Sequence, residues 1–149
     1  MKNLIFIVLS LTFCTSINAQ VNNHKDSVEV AQVIHNMFTA MKNSDTNLLK
    51  TCFSNTAVFQ TIVSKSDTTT VKNQIVQDFI NSIGKQVPGS LDERITIGSL
   101  LIDANLASVW TPYQFYFKEK YSHQGVNSFQ LVRGTNGWKI QYLIDTRRK

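Results

Sequence analysis

The spacing of apolar positions along this chain changes once, near Leu91, and the change divides it into a helical first part and a stranded second part. Val30, Ile34, Met37, Phe38 and Met41 recur at three- and four-residue steps, which predicts an amphipathic helix over 26–41. Asp26 is placed to cap it, with Glu29 three residues on completing a box-like pattern. Ser44-Asp45 then caps a short helix reaching Phe53. Residues 57–63, rich in branched and aromatic side chains, read as a strand, 64–67 as its turn, and Thr68-Thr69-Thr70 as an edge or loop. A third helix over 73–83 is expected to bury Ile75, Val76, Phe79, Ile80 and Ile83 and to stop at Gly84.

Beyond Leu91 the period becomes two, and strands fit over 94–102, 106–117, 121–132 and 137–147, joined by connectors short enough for antiparallel hairpins. Pairing Phe117 with Tyr121 sets Thr111 opposite Asn127 and Val109 opposite Phe129. Pairing Arg133 with Trp138 sets Leu131 opposite Ile140, Phe129 opposite Tyr142 and Asn127 opposite Ile144. Pairing Ile102 with Leu106 sets Ile95 opposite Tyr113 and Ser99 opposite Val109. All three hairpins then agree on one inward face, containing Leu101, Val109, Phe129, Leu131, Ile140 and Tyr142, and one mostly polar outward face. Helices followed by a long antiparallel meander make an α+β layer architecture with the helices on the concave side of the sheet.

Composition narrows the class further. The chain has 149 residues, 42% of them hydrophobic, with only 2 Pro and 6 Gly, which suits one globular domain. Its formal charge of +5 is concentrated at the ends, in Lys2 and in Arg147, Arg148 and Lys149, so the body is nearly neutral and is no nucleic-acid surface. Lys2, an apolar run over 4–13 and Ile17-Asn18-Ala19 together resemble a signal peptide cleaved after Ala19. The run is about half the roughly 20 residues a spanning helix needs, so no stable membrane anchor is expected. Phe13 stands where lipidation of Cys14 would require a small residue. The expected mature chain is 20–149, a single domain that is periplasmic or secreted. It retains only Cys52, so no internal disulfide forms, and Cys52 reads as a buried small hydrophobe. His24, His35 and His123 show no metal-ligand spacing, and neither a metal nor a cofactor is expected.

The segments Asp92-Glu93-Arg94, Trp110-Thr111-Pro112-Tyr113-Gln114-Phe115-Tyr116, Ser122-His123-Gln124-Gly125-Val126-Asn127-Ser128-Phe129-Gln130-Leu131, Gly137-Trp138-Lys139-Ile140 and Asp145-Thr146-Arg147-Arg148 resemble the nuclear transport factor 2-like superfamily. The resemblance covers essentially all of 20–149 and is nearest to a bacterial branch that carries a lumazine-binding label. It implies a cone, a strongly curved sheet wrapped around three N-terminal helices with a cavity at the wide end. Superfamily members include isomerases, dehydratases, polyketide cyclases and non-catalytic binding or dimerising modules, so fold alone does not choose the function.

Four polar side chains, Thr111, Tyr113, His123 and Asn127, gather on two paired strands of the inward face, with Tyr142 nearby. An unpaired buried polar group costs roughly 1–3 kcal/mol, so such a cluster points to a pocket holding a small molecule, against a satisfied internal network as the structural alternative. This favours an exported small-molecule-binding protein. The rival is an isomerase, dehydratase or cyclase with His123 as general acid or base and Tyr113 or Tyr142 polarising a carbonyl. Against catalysis, the register puts no carboxylate on the inward face: Asp145 has outward parity unless a bulge turns it, and Asp92 and Glu93 precede a strand. A third reading is a filled, purely structural dimeric module. On the outward face Trp110, Pro112, Tyr116, Val126 and Leu143 form an apolar patch that predicts a homodimer interface. Pro112 has no amide to donate, which predicts a local break in strand pairing. Arg147, Arg148 and Lys149 read as a solvated strand end, with contact to an anionic ligand at the cavity mouth as the sharper alternative.

Overall fold

A computed structural model describes residues 15–65 and 67–149. Lys2, the apolar run over 4–13 and Cys14 lie outside the described residues, and no helix among those described is long and apolar enough to cross a membrane. The elements run α1 (Thr15–Asn43), α2 (Thr46–Cys52), β1 (Phe53–Lys65), β2 (Thr68–Gln74), α3 (Val76–Ile83), β3 (Leu91–Ile95), β4 (Ser99–Asp103), β5 (Leu106–Phe117), β6 (Lys120–Gly134) and β7 (Gly137–Arg148). Seven strands make one curved, unclosed sheet in the order β2-β1-β7-β6-β5-β3, with β4 also on β5. All pairs are antiparallel except β1 with β7.

The helical stripe is realised as read. Val30, Ile34, Met37, Phe38 and Met41 are all buried, and the Phe38 ring meets Phe129 edge to face at 6.2 Å. Asp26 is not a cap, because α1 begins upstream of it; its carboxylate pairs with Arg133 instead. Asp45 does cap α2, accepting hydrogen bonds from the amides of Asn47 and Leu48. The threonine run becomes the edge strand β2, which leaves α3 shorter than expected and Ile75 68% exposed ahead of it. Phe79 of α3 packs edge-on against Phe53 and Phe59 of β1.

Three irregularities reset the sheet. The strand expected over 94–102 breaks at 96–98. The amides of Thr96 and Gly98 donate to the carbonyls of Pro112 and Trp110 there, on the side where Pro112 has no amide to return. Beyond the break Leu100 and Ile102 face Val109 and Ala107, so Leu101 and Ser99, expected inside, lie outside, Leu101 at 70% exposure. The β5–β6 register agrees with expectation from Leu106 to Phe115 and slips only at the hairpin tip. The third irregularity matters most. In β7 Leu131 faces Ile140 as expected, but Gln130 faces Tyr142, which leaves Gln141 as an extra residue. Every position after it changes face. Leu143 and Asp145 turn inward; Tyr142 and Ile144 turn outward. β1 carries its own irregularity opposite, between Phe53 and Val58, and Gln141 bridges the gap. Its Oε1 accepts from Ser54 at 2.7 Å and its Nε2 donates to the Thr56 carbonyl at 3.0 Å.

The concave face is therefore layered. One row crosses the sheet as Phe53, Ile140, Leu131, Ala107 and Ile102, and the next as Phe59, Leu143, Phe129, Val109 and Leu100. These form the core against α1 and α3.

Candidate functional site

The next row of the concave face is polar from end to end: Thr61, Asp145, Asn127 and Thr111 stand side by side on β1, β7, β6 and β5. Thr111, Asn127 and Asp145 are buried, at 0%, 4% and 5% exposure. Beyond it lie Arg147, Gly125, Tyr113 and Ile95, and then His123, Phe115 and Glu93. Of the expected ligand-lining residues, Thr111, Tyr113, His123 and Asn127 share this region. Tyr142 does not: the Gln141 bulge puts it on the outer face, where its hydroxyl donates to Gln60 Oε1 at 2.6 Å.

The same bulge brings in the carboxylate that two-residue alternation excludes. Asp145 Oδ2 accepts from Arg147 Nε at 2.9 Å, while buried Oδ1 has no partner among the described residues; neither has Thr111 Oγ1. A second carboxyl arrives from β3. Glu93 shares the parity of Ile95, and its Oε1 accepts from Asn127 Nδ2 at 2.8 Å. Burial, reinforced by the Asp145 charge and opposed by the Asn127 hydrogen bond and by Arg147, pushes the Glu93 carboxyl up to about 7. Two carboxyl groups and an arginine thus occupy the polar end of the concave face, a set that alternation does not show.

Tyr113 turns out to be a strap. Gly125 on the neighbouring strand has no side chain, so the tyrosine lies across it and its hydroxyl donates to the Thr146 carbonyl at 2.9 Å. A Cβ on Gly125 would overlap that carbonyl oxygen and stand 2.7 Å from the Tyr113 hydroxyl. Burial, with Glu93 and Asp145 nearby, holds the phenol above its ordinary range. The hydroxyl hydrogen is thereby engaged by the Thr146 carbonyl. The His123 ring lies tilted against Phe115 and meets Tyr113 edge-on, with ring centroids 5.0 and 5.7 Å apart, and its Nδ1 lies 3.1 Å from Ser122 Oγ. Burial and the Arg147 charge, against Asp145, hold the imidazole below its ordinary value. No hydrogen bond from His123 to a carboxylate is present among the described residues, so it lacks the orienting partner of a general base.

Of these groups Glu93 and Ile95 line a cavity beside α1, whose lining does not include Thr111, Asn127 or Asp145. This cavity, of about 250 Å³, lies between the helix and β3 and is lined also by His35, Phe38, Thr39 and Lys42 of α1. Its rim is an ion cluster in which Asp92 takes Lys42 at 3.1 Å and Arg94 at 2.9 Å, and Arg94 stacks on the Tyr116 ring. Burial alone would raise Asp92, but Arg94 and Lys42 outweigh it and hold its carboxyl below the ordinary value. No group of three or more His, Cys, Asp or Glu suited to a metal occurs among the described residues.

The outer face carries most of the expected apolar patch. Trp110 is 50% exposed, Pro112 pairs with Val126, and Tyr116 is partly exposed, while Leu143 is a core residue at 1%. The bulge exchanges Leu143 for Ile144 and Tyr142, and Ile62 of β1 continues the patch beside them.

No protein-family model matches the sequence, and no curated protein matches it. Solved structures do. A nuclear transport factor 2-like protein of unknown function from Shewanella baltica is 14% identical, with 94% of this chain and 99% of that chain covered at a TM-score of 0.66. A nuclear transport factor 2-like protein with a cystatin-like fold from Novosphingobium aromaticivorans is 10% identical over 93% of this chain and 92% of that one, at a TM-score of 0.70. One of unknown function from Silicibacter pomeroyi is 12% identical over 86% and 98%, at 0.65. The chain has the nuclear transport factor 2-like, cystatin-like fold.

Proposed function

We propose that this protein is an exported small-molecule-binding module whose ligand sits at the wide end of the cone against Thr111, Asn127 and Asp145. One observation carries the reading. On the concave face Thr111 Oγ1 and Asp145 Oδ1 are buried and have no partner among the described residues, each at a cost of roughly 1–3 kcal/mol that a polar ligand relieves. The resemblance to the lumazine-binding branch agrees with a flat ligand but does not identify one. The test is a fragment screen by thermal shift, repeated on Thr111→Val. At least one fragment should stabilise the native protein and lose affinity in the variant, while the variant itself, relieved of an orphaned hydroxyl, should be no less stable. A library that shifts neither protein leaves the cone a structural core.

A second reading, catalysis, is favoured by Glu93 more than by His123. A carboxyl held to about 7 beside Asp145 retains a proton near neutral pH and can both give and take it. Turnover abolished by Glu93→Gln with binding retained would establish it.

We further propose a homodimer through the outer sheet face. Trp110, Pro112, Val126, Ile144 and Ile62 make a partly exposed apolar surface flanked by polar residues. Trp110→Glu should halve the mass seen by light scattering with the circular dichroism unchanged; a monomeric native protein would remove the proposal. Export rests on residues 1–19, and intact mass of the secreted species, starting at Gln20, tests it.

A further inference from the structure

On the outer face Arg94, Gln114, Gln124 and Arg148 stand opposite one another in turn across β3, β5, β6 and β7. They form the row next to Pro112, Val126 and Thr146, toward the end of β7. A groove of about 390 Å³ runs along this row, with Thr96 and Pro112 among its other walls and no carboxylate in its lining. The row is rich in donors and short of acceptors. The Tyr116 hydroxyl donates to Gln114 Oε1 at 3.3 Å, and the Gln114 amide hydrogens have no acceptor among the described residues. The side chains of Gln124 and Arg148 make no hydrogen bond or salt bridge there either. Arg94 is held in place at the opposite end. Its Nε donates to Asp92 Oδ2 at 2.9 Å and its guanidinium lies over the Tyr116 ring at 4.0 Å, which leaves the terminal nitrogens unbonded. Counter-charge is short at the same place. Asp92 is divided between Lys42 and Arg94, Asp145 is taken by Arg147 on the concave side, and Glu93 is bonded to Asn127 on that side as well. Arg148 is left without a carboxyl among the described residues.

We infer that this groove is an anion-binding site for a small molecule with two acidic groups, carboxylate or phosphate, one held at Arg94 and one at Arg148, its middle lying across the two glutamine amides. A guanidinium takes either acid as a two-point fork, and an amide N–H₂ can donate to the same oxygens. The order Arg-Gln-Gln-Arg reads the same from both ends, so a ligand with one acidic group leaves one arginine unmet. Neighbouring strands stand about 4.8 Å apart, so three steps separate the backbones of Arg94 and Arg148 by about 14 Å, and both side chains line the one groove between them. Its volume lies within the range of small-molecule sites. The four side chains are exposed, so the attraction is screened and affinity depends on salt. The site lies on the opposite face of the sheet from Thr111 and Asp145, and neither it nor the concave site depends on the other.

The experiment titrates succinate, adipate, suberate and hexanediol bisphosphate into the native protein at low and at physiological salt, beside hexanoate, adipamide, hexamethylenediamine and inorganic sulfate. Calorimetry gives the affinities, and nitrogen-correlated NMR follows the side-chain amide signals of Gln114 and Gln124. At least one two-acid probe should bind at least tenfold more tightly than hexanoate or sulfate, shift both amide signals, and weaken as salt rises. Adipamide and hexamethylenediamine should not bind. Arg148→Gln, an exposed change with no bonded partner to strand, should lower the affinity of that probe at least tenfold, to the level of hexanoate. Arg94→Gln should do the same, but it also releases Asp92, so Arg148→Gln decides. A two-acid probe that binds no better than hexanoate or sulfate overturns the proposal. So does one whose affinity survives Arg148→Gln, and so does silence from all four two-acid probes.

Discussion

Glu93 makes the stability of this protein depend on pH in an unusual direction for a carboxyl. Its proton is held to about 7 in the folded protein against 4.5 for an ordinary glutamate. Between those two values the native state keeps a proton the unfolded chain has lost, so this residue's contribution is fully present below pH 4.5 and is lost as pH rises through 7. The shift corresponds to about 3 kcal/mol at 1.36 kcal/mol per unit, and about 2–3 kcal/mol falls between pH 5 and 8. Two other groups run the opposite way. Asp92, held low, contributes stability above 3.8 that is lost as pH falls, outside this window. His123, held below 6.5, favours the folded state more as pH rises within it. The comparison therefore needs Glu93→Gln, which keeps the acceptor for Asn127 Nδ2 and removes the proton. Urea unfolding followed by the fluorescence of Trp110 and Trp138 at pH 5, 6, 7 and 8 measures both proteins. The variant should gain about 2–3 kcal/mol on the native protein across the series. Parallel profiles would refute the reasoning, because an exposed or counter-ion-paired glutamate predicts no divergence.

Gly125→Ala should cost at least about 3 kcal/mol in the same urea assay, combining overpacking against the Thr146 carbonyl with loss of the Tyr113 strap. Tyr113→Phe, which removes the strap's hydrogen bond and none of its packing, should cost only about 0.5–1.5 kcal/mol, and equal costs for the two would contradict this account.

Much of the fold is legible in the residue pattern, and where it is not the reason is local. The helical stripe from Val30 to Met41 reads cleanly because one face is apolar and the other polar. The β5–β6 register also reads correctly, since Val109 with Phe129 and Thr111 with Asn127 admit no alternative that keeps the core dry. β7 is ambiguous. Tyr142 and Ile144 on one parity compete with Leu143 on the other, and alternation favours the pair because the other choice buries Asp145. The protein makes the choice that alternation avoids, and the irregularity in β1 that stabilises it lies far away in sequence, in a neighbour joined through parallel pairing. The site was half visible for the same reason. Its neutral members, Thr111 and Asn127, lie on β5 and β6, whose register alternation gives; Asp145 lies on β7 beyond the bulge, where alternation reverses its face. The available sign was the apolar spacing of three between Ile140 and Leu143, which a strand of strict alternation does not produce.

The extra residue at Gln141 has a consequence for how this cone can change. Deleting it would leave Leu143 and Asp145 inward on plain alternation; the faces exchange instead if Gln141 is drawn into the ladder as a paired residue, which turns Tyr142 and Ile144 toward the helices and sends Asp145 and Arg147 to solvent. No acidic residue would be substituted, yet the carboxyl opposite Asn127 would be gone and an aromatic ring would stand in its region. The gap in β1 would lose the amide that reaches Ser54 and Thr56. The polarity of the concave face is thus recorded in whether one residue of β7 bulges or pairs, and no substitution at Asp145 is needed to change it.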